Sequence, residues 1–434
     1  MNGEHQGQPF RIEEVPRGFF MTLMNTNVVG AQSVRFSTTY RPATSGKHHL
    51  SFSGLGPSKL FIDDEIVSEQ IKETKDSMGF FLGVQEENRF QYLFEAGKEY
   101  KIRVETIPSQ VSNSELYLMD NQLSAHIGLV EQHEMEVDLL SEAVELAKQA
   151  DYAILFVGNT VQWETEGQDL AAMVLPADGS QDRLISAVAK VNPNTIVVNT
   201  TGVPVEMPWL GEVAAIVQAW YSGQETGNAI LDILLGEVNP SGKLPISWPK
   251  RYEDTACFGH FGLDAYESCE VEYVEGVFVG YRHFDRHFES EKRVLFPFGY
   301  GLSYTKFEIS DSNLVGTIAN KPDSRMSVFA TVANVGQQAG AETVQVYVAP
   351  PQSDGVERPV KGLVGFAKVH LSAGESSTVE IELSRDAVAY WDNRIHKWNA
   401  VAGNYQVLVS TSSSPEDVKA TLTLPLHNEF TYNP

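Results

Sequence analysis

The chain has 434 residues, is 42% hydrophobic and 10% aromatic, and carries a formal net charge of -25 at pH 7. That length predicts about three domains, and the apolar content is far from the disordered class. So acidic a surface repels phosphate backbones and anionic lipid, which sets nucleic-acid and membrane-surface roles aside and leaves solubility as the plain reading.

The first residues, Met1 to Pro9, are polar with no apolar core, and so predict no signal peptide. No apolar run reaches the roughly 20 residues a bilayer span needs, so a cytoplasmic chain is expected. Cys257 and Cys269 read as ordinary thiols, because nothing beside them completes a zinc pattern. Neither a metal nor a cofactor is expected.

Residues 10–130 alternate apolar and polar positions in short runs (Val34–Tyr40, His49–Ser53, Lys59–Ile62, Lys101–Thr106) punctuated by turns such as Gly54–Pro57, a β-sandwich pattern. From 131 to 250 the texture changes. A helix over Glu136–Ala150 leads into strand Tyr152–Val157. A helix over Gln181–Val191 precedes strand Thr195–Asn199. Strand Ala214–Gln218 precedes a helix from Thr226 to Leu235. Continuous apolar strands between helices predict a parallel sheet covered on both faces. The loops after the three strands then share the carboxyl rim where open α/β sheets bind ligands. The sequon at Asn199 ends a buried strand, which argues against glycosylation. Residues 251–305 form a Pro-, Gly- and aromatic-rich connector. Residues 306–430 return to alternation, with Met326–Val332, Thr343–Val348, Ser377–Leu383 and Asn404–Ser410 as strands of a second sandwich. The fold class expected is thus multidomain, α/β plus all-β.

The loop after the first parallel strand, Gly158–Asp169, crowds Glu164, Glu166 and Asp169 beside Trp163. Like charges this close raise one another's pKa, and a raised carboxyl suits general-acid chemistry at neutral pH. A solvated acidic loop is the alternative.

Several segments together resemble the C-terminal half of the family-three glycoside hydrolases, the β-glucosidase group. They are Trp163–Gly167 with Leu175-Pro176, Asn199–Pro204, Gln218–Ile230, Asn239–Pro245, Val279–Arg282 and Phe296–Tyr304. Residues 10–130, with Lys59–Asp63 and Glu95–Lys101, resemble the PA14 module inserted in some of these enzymes, and 306–430 resemble their fibronectin-type-III-like domain. The resemblance implies a retaining glycosidase, in which a carboxylate nucleophile forms a glycosyl-enzyme and a second carboxyl acts as acid and then base. It places the nucleophile on a preceding (β/α)8 barrel, which is not found in this sequence, and the acid/base on the acidic loop. The chain departs from the family at Leu170, where an Arg is common.

By position in that motif Glu164 is the acid/base candidate, with Glu166 the alternate. Asp169 bonds loop backbone or touches substrate. Glu225 is a rim acid, or caps the helix after it. Trp163 and Trp220 stack on a sugar or pack the domain. Phe80 and Phe81, on a Gly-flanked loop of the PA14-like module, overhang the pocket or are a buried pair. The Phe298–Tyr304 segment ties the tail to the α/β domain.

Three functional readings follow. The first is a β-glucosidase-like fragment acting on a short glycoside, its barrel supplied by a separate chain or lost. The second, favoured by the missing signal peptide since many fungal relatives are secreted, is a repurposed enzyme doing dehydration, cyclisation or isomerisation on a small metabolite. The third is a non-catalytic carbohydrate-binding protein. Without a barrel, the face it covers is expected to turn polar or to pair in a homodimer.

Overall fold

The computed structural model describes residues 12, 32–74, 79–80, 83, 87–108, 123–161, 163–166, 170, 172–176, 178–261, 271–286, 294–351 and 356–433. They fall into two compact units. One holds Met1–Ala150 and Asn159–Gln168, the other Asp151–Gly158 and Asp169–Pro434. Among the described residues no helix is long and apolar enough to cross a membrane.

The first unit contains two antiparallel sheets. One has the order β1 (Val34–Tyr40), β6 (Tyr100–Thr106), β3 (Ser58–Ile62), β4 (Glu65–Gln70). The other has the order β5 (Asn88–Phe94), β2 (Gly46–Gly54), β7 (Ala125–Val130). Alternation explains the pairing: Tyr100, Ile102 and Val104 of β6 point inward to meet Leu50, Phe52, Leu60, Ile62 and Phe94 in one core. Each such side chain contributes roughly 1.5–3 kcal/mol by burial. Asp63 and Asp64, both with positive φ, make the tight turn between β3 and β4. Glu131 fastens the end of β7 to the β1–β2 loop, accepting hydrogen bonds from the Tyr40 hydroxyl, the Ala43 and Thr44 amides and the Thr44 hydroxyl.

The helix expected over 136–150 is α2 (Leu139–Gln149), and a separate short helix, α1 (Gln132–Glu136), precedes it. Val137 is extended between them, and Asp138 restarts the helix by accepting from the Ser141 amide.

In the second unit β8 (Ala153–Gly158), β9 (Thr195–Thr200) and β10 (Ala215–Gln218) are parallel in the order β10-β9-β8. Helix α3 (Ser180–Ala189) buries Ile185 in the core with Val157, Val197, Met207, Trp209 and Trp248. That covers one face. On the other face of β8, where the sequence predicts cover, Phe156 is 65% exposed among the described residues. Helix α4 (Thr226–Leu235) follows β10 and ends at Gly236 with φ 76. A small ladder pairs β11 (Trp248–Pro249) with β12 (Val294–Phe296), and helix α5 (Tyr281–Arg286) lies between them in sequence.

The tail is a second sandwich. One sheet has the order β13 (Phe307–Gly316), β14 (Arg325–Asn334), β17 (Ser376–Ser384). The other has the order β16 (Gly362–Leu371), β15 (Gly340–Ala349), β20 (Gly403–Ser410), β21 (Val418–Leu426). A third ladder joins β18 (Tyr390–Asp392), β19 (Lys397–Ala400) and β22 (Phe430–Tyr432).

The connector binds this sandwich through hydrogen bonds. The Ser413 amide donates to the Phe298 carbonyl, and Gln345 Nε2 to that of Gly299. Gly299 has φ +81, and a Cβ there would lie 2.3 Å from Gln345 Oε1, so only glycine fits. Tyr304 donates its hydroxyl proton to the Ile233 carbonyl of α4. The Phe298–Tyr304 segment therefore ties tail to α/β layer, as its composition suggests.

Candidate active site

The strands β8, β9 and β10 run in one direction, so the loops after them leave from their carboxyl ends. The first loop starts at Gly158, with φ +154; a Cβ there would sit 2.0 Å from the Thr200 carbonyl oxygen. Only glycine lets the end of β8 come so close to β9. Gln181 of α3 grips the same residue from both sides. Its Oε1 accepts from the Gly158 amide at 2.8 Å, and its Nε2 donates to the Gly158 carbonyl at 2.9 Å.

Beyond Gly158 the backbone turns tightly, since the Thr160 carbonyl accepts both the Trp163 and the Glu164 amides at 2.9 Å. Asn159, nearly buried, donates from Nδ2 to Glu164 Oε2 at 3.1 Å. The Glu164 carboxylate is thus half-buried and held, while Glu166 is exposed. Trp163 is 40% exposed and presents ring surface to solvent. Asp169 lies outside the described residues.

The second loop rests on a buried amide ladder. Asn199 Nδ2 donates to Gln218 Oε1 at 2.6 Å and to Thr201 Oγ1 at 3.0 Å, and Gln218 Nε2 donates to the Thr201 carbonyl at 3.0 Å. Asn199 and Thr201 are fully buried, so the Asn199 amide is closed to a glycosyl transferase. The third loop places Trp220 at φ 54, its ring centroid 6.2 Å from that of Trp248 at the edge of the buried core. The packing role fits Trp220. Glu225 occupies the N-cap position of α4 without a side-chain bond to the helix backbone, and instead accepts from Asn228 Nδ2 at 2.6 Å. It is thus an exposed acid at a helix start whose side chain does not cap the helix backbone.

Phe80 is 2% exposed, its ring stacked on His126 at 4.3 Å between centroids. A ring so enclosed has almost no surface left to solvent. Burial holds the His126 pKa below the usual imidazole value. Phe81 lies outside the described residues. Beneath the rim, Asp182 of α3 accepts from Trp209 Nε1 at 2.8 Å, and burial raises its pKa against that hydrogen bond.

Sequence reasoning passed over Asn159 and the Asn199–Thr201–Gln218 ladder. The signal was present: an amide side chain ends or follows each of three otherwise apolar strands.

The model for the glycosyl hydrolase family 3 C-terminal domain matches residues 65–304, and that for a fibronectin type III-like domain matches 342–413. The chain belongs to glycosyl hydrolase family 3. Among its family-three relatives, β-glucosidase B of Emericella nidulans is 47% identical over 402 residues, which is 91% of this chain and 47% of that protein. A β-glucosidase of Rhizobium radiobacter is 35% identical over 99% of this chain and 51% of its own length. The crystal structure of the Kluyveromyces marxianus β-glucosidase in complex with glucose superposes with a TM-score of 0.79 at 36% identity, covering 92% of this chain and 46% of that one. The chain therefore spans about half the length of the family-three proteins it matches.

Proposed function

We propose that this chain carries the acid/base half of a β-glucosidase site, and that Glu164 is the acid/base. The observation that carries the reading is the seat of Glu164, half-buried and gripped by Asn159, against the free exposure of Glu166. In a retaining glycosidase such a carboxyl first protonates the leaving oxygen and then, as carboxylate, takes a proton from the attacking water. A fixed carboxylate suits both steps, because each needs one oxygen in hydrogen-bond reach of a defined atom. The nucleophile would come from the part of a family-three enzyme beyond the matched region.

The substrate class is a short β-glucoside, supported by the names of the relatives and by the glucose complex of the Kluyveromyces marxianus enzyme. We also assign residues 10–130 as a PA14-like sandwich, 131–250 as the α/β domain, 251–305 as connector and 306–430 as the fibronectin-III-like domain. The separate cores support the division into first sandwich, α/β layer and tail sandwich.

A chimera tests the reading, with this chain replacing the matching half of β-glucosidase B of Emericella nidulans. Aryl β-glucoside hydrolysis is expected, and Glu164→Gln should lower it by about 10²–10⁴-fold, the range for a lost general acid. Glu166→Gln should lower it by less than about tenfold. Equal losses, or a larger loss at Glu166, would overturn the assignment.

A further inference from the structure

Helix α3 reaches the start of the acidic loop through one side chain. Gln181 is half-buried in the first turn of α3. Its Oε1 accepts from the Gly158 amide at 2.8 Å, and its Nε2 donates to the Gly158 carbonyl at 2.9 Å. One carboxamide thus meets both backbone groups of one residue, the exchange that two paired residues make between antiparallel strands.

The helix is itself pinned. Ile185, one turn after Gln181 and on the same face, is fully buried in the core with Val157, Val197 and Trp209. Asp182, the next residue, accepts from Trp209 Nε1 at 2.8 Å. The reach of Gln181 is therefore set by the framework and not by the loop.

Gly158 is where such a grip matters. A glycine has no side chain to anchor and more backbone freedom than any other residue. This one, at φ +154, is where β8 gives way to the loop. Asn159 follows directly and holds Glu164 Oε2 at 3.1 Å. A swing at Gly158 is carried to the carboxylate.

We propose that Gln181 is a positioning residue for the acid/base step, acting through Gly158 and Asn159 on Glu164. This role rests on the acid/base reading above and extends it to a helix outside the loop. The clamp fixes the direction in which the backbone leaves β8, and with it the place of the oxygen that must reach the leaving group.

The competing role is structural, with Gln181 satisfying the end of β8 and no more. Chemistry separates the two. An alkyl leaving group needs a proton from the acid, whereas dinitrophenolate departs without one. A displaced acid slows release of the first alone, and a loosened fold slows both.

Gln181→Met, similar in length and lacking both polar atoms, is the test in the chimera described above. On methyl β-glucoside kcat/KM should fall about 10–100-fold, the cost of a misplacement of about 1 Å. On dinitrophenyl β-glucoside kcat/KM should hold within about threefold, while kcat and KM fall together because the glycosyl-enzyme waits for its base. Ile185→Val loosens the same helix away from the clamp and should affect both substrates alike. In this chain by itself, Gln181→Met should speed amide exchange at Gly158 and Glu164 at least about tenfold, with circular dichroism unchanged.

Equal losses on both glucosides would overturn the role. So would an unaltered methyl glucoside rate, the same leaving-group split in Ile185→Val, or exchange that quickens at Gly158 alone. The two readings fail separately. Hydrolysis indifferent to Glu164→Gln removes the acid/base reading, whereas hydrolysis that needs Glu164 and tolerates Gln181→Met removes only the positioning role.

Discussion

In the tail sandwich, alternate residues of β14 (Met326, Val328, Ala330 and Val332) all enter one core, and none is more than 6% exposed. In the α/β layer, β8 sends Val157 into a core and leaves Phe156, the residue before it, open to solvent. The two strands are patterned differently: β14 alternates its core residues with Arg325, Ser327 and Thr331, whereas β8 is apolar throughout. Sheet type accounts for the difference. An antiparallel sheet closes with one covered face, as a sandwich supplies, while a parallel sheet of apolar strands asks for cover on both. The tail completes its core from its own residues, and the α/β layer does not.

Substitutions on either side of that line should separate the regions, and the largest effect is expected on the covered face. Trp209 is fully buried and donates to Asp182. Trp209→Ala should cost about 3–5 kcal/mol, read from denaturant unfolding of the whole chain. A cost near zero would mean that the covered face is no better packed than the bare one.

Next is the join between the regions. Lys361, just before β16, pairs with Asp285 of α5 at 2.7 Å, both side chains 6% exposed. Lys361→Met leaves a buried carboxylate and should cost about 3–5 kcal/mol near neutral pH. Burial raises the Asp285 pKa, so its folded form takes up a proton above the ordinary carboxyl range. The penalty should shrink as pH falls into that range. A cost independent of pH would show that the pair is not what holds the join.

The first sandwich supplies a smaller effect that likewise fades toward low pH. The Thr44 hydroxyl, the Ala43 amide and the Tyr40 hydroxyl pull the Glu131 pKa down to about 2. A depressed carboxyl stabilises the fold above its unfolded value, and that contribution fades as pH falls from about 4 toward 2. Glu131→Gln should lower the melting temperature at neutral pH and flatten its decline over that window. A parallel decline in both proteins would remove Glu131 from the account. Smallest of all, Phe156→Ala in this chain alone should change stability by no more than about 0.5 kcal/mol. A large loss would mean that the bare face is already covered.

Much of this architecture is legible in the amino-acid order. The run from Val34 to Tyr40 is β1, and helix α4 spans Thr226 to Leu235 as periodicity predicts. Strand β9 extends one residue past its expected end, to Thr200, through the pairing of that residue with Gly158. Other elements depend on tertiary contacts. The break between α1 and α2 comes from an Asp side chain competing as a cap. Strand β13 is irregular at Ser310–Asn313, which breaks its alternation. The acidic loop is visible as a motif, but nothing in its spacing separates Glu164 from Glu166. That distinction enters only with Asn159, whose reach to one carboxylate depends on the turn at Thr160. The bare face of β8 is likewise invisible in sequence, because exposure belongs to neighbours and not to the strand.

Gly158 and Leu175 together give the acidic loop an unusual mechanical character. One end leaves a glycine clamped by Gln181 and wedged against Thr200, and the other enters the core at a fully buried leucine. Both anchorages belong to the framework. The two anchor positions are therefore held by contacts outside the stretch that separates them. Such a joint lets a lineage rewrite the chemistry of the loop without renegotiating the fold that carries it.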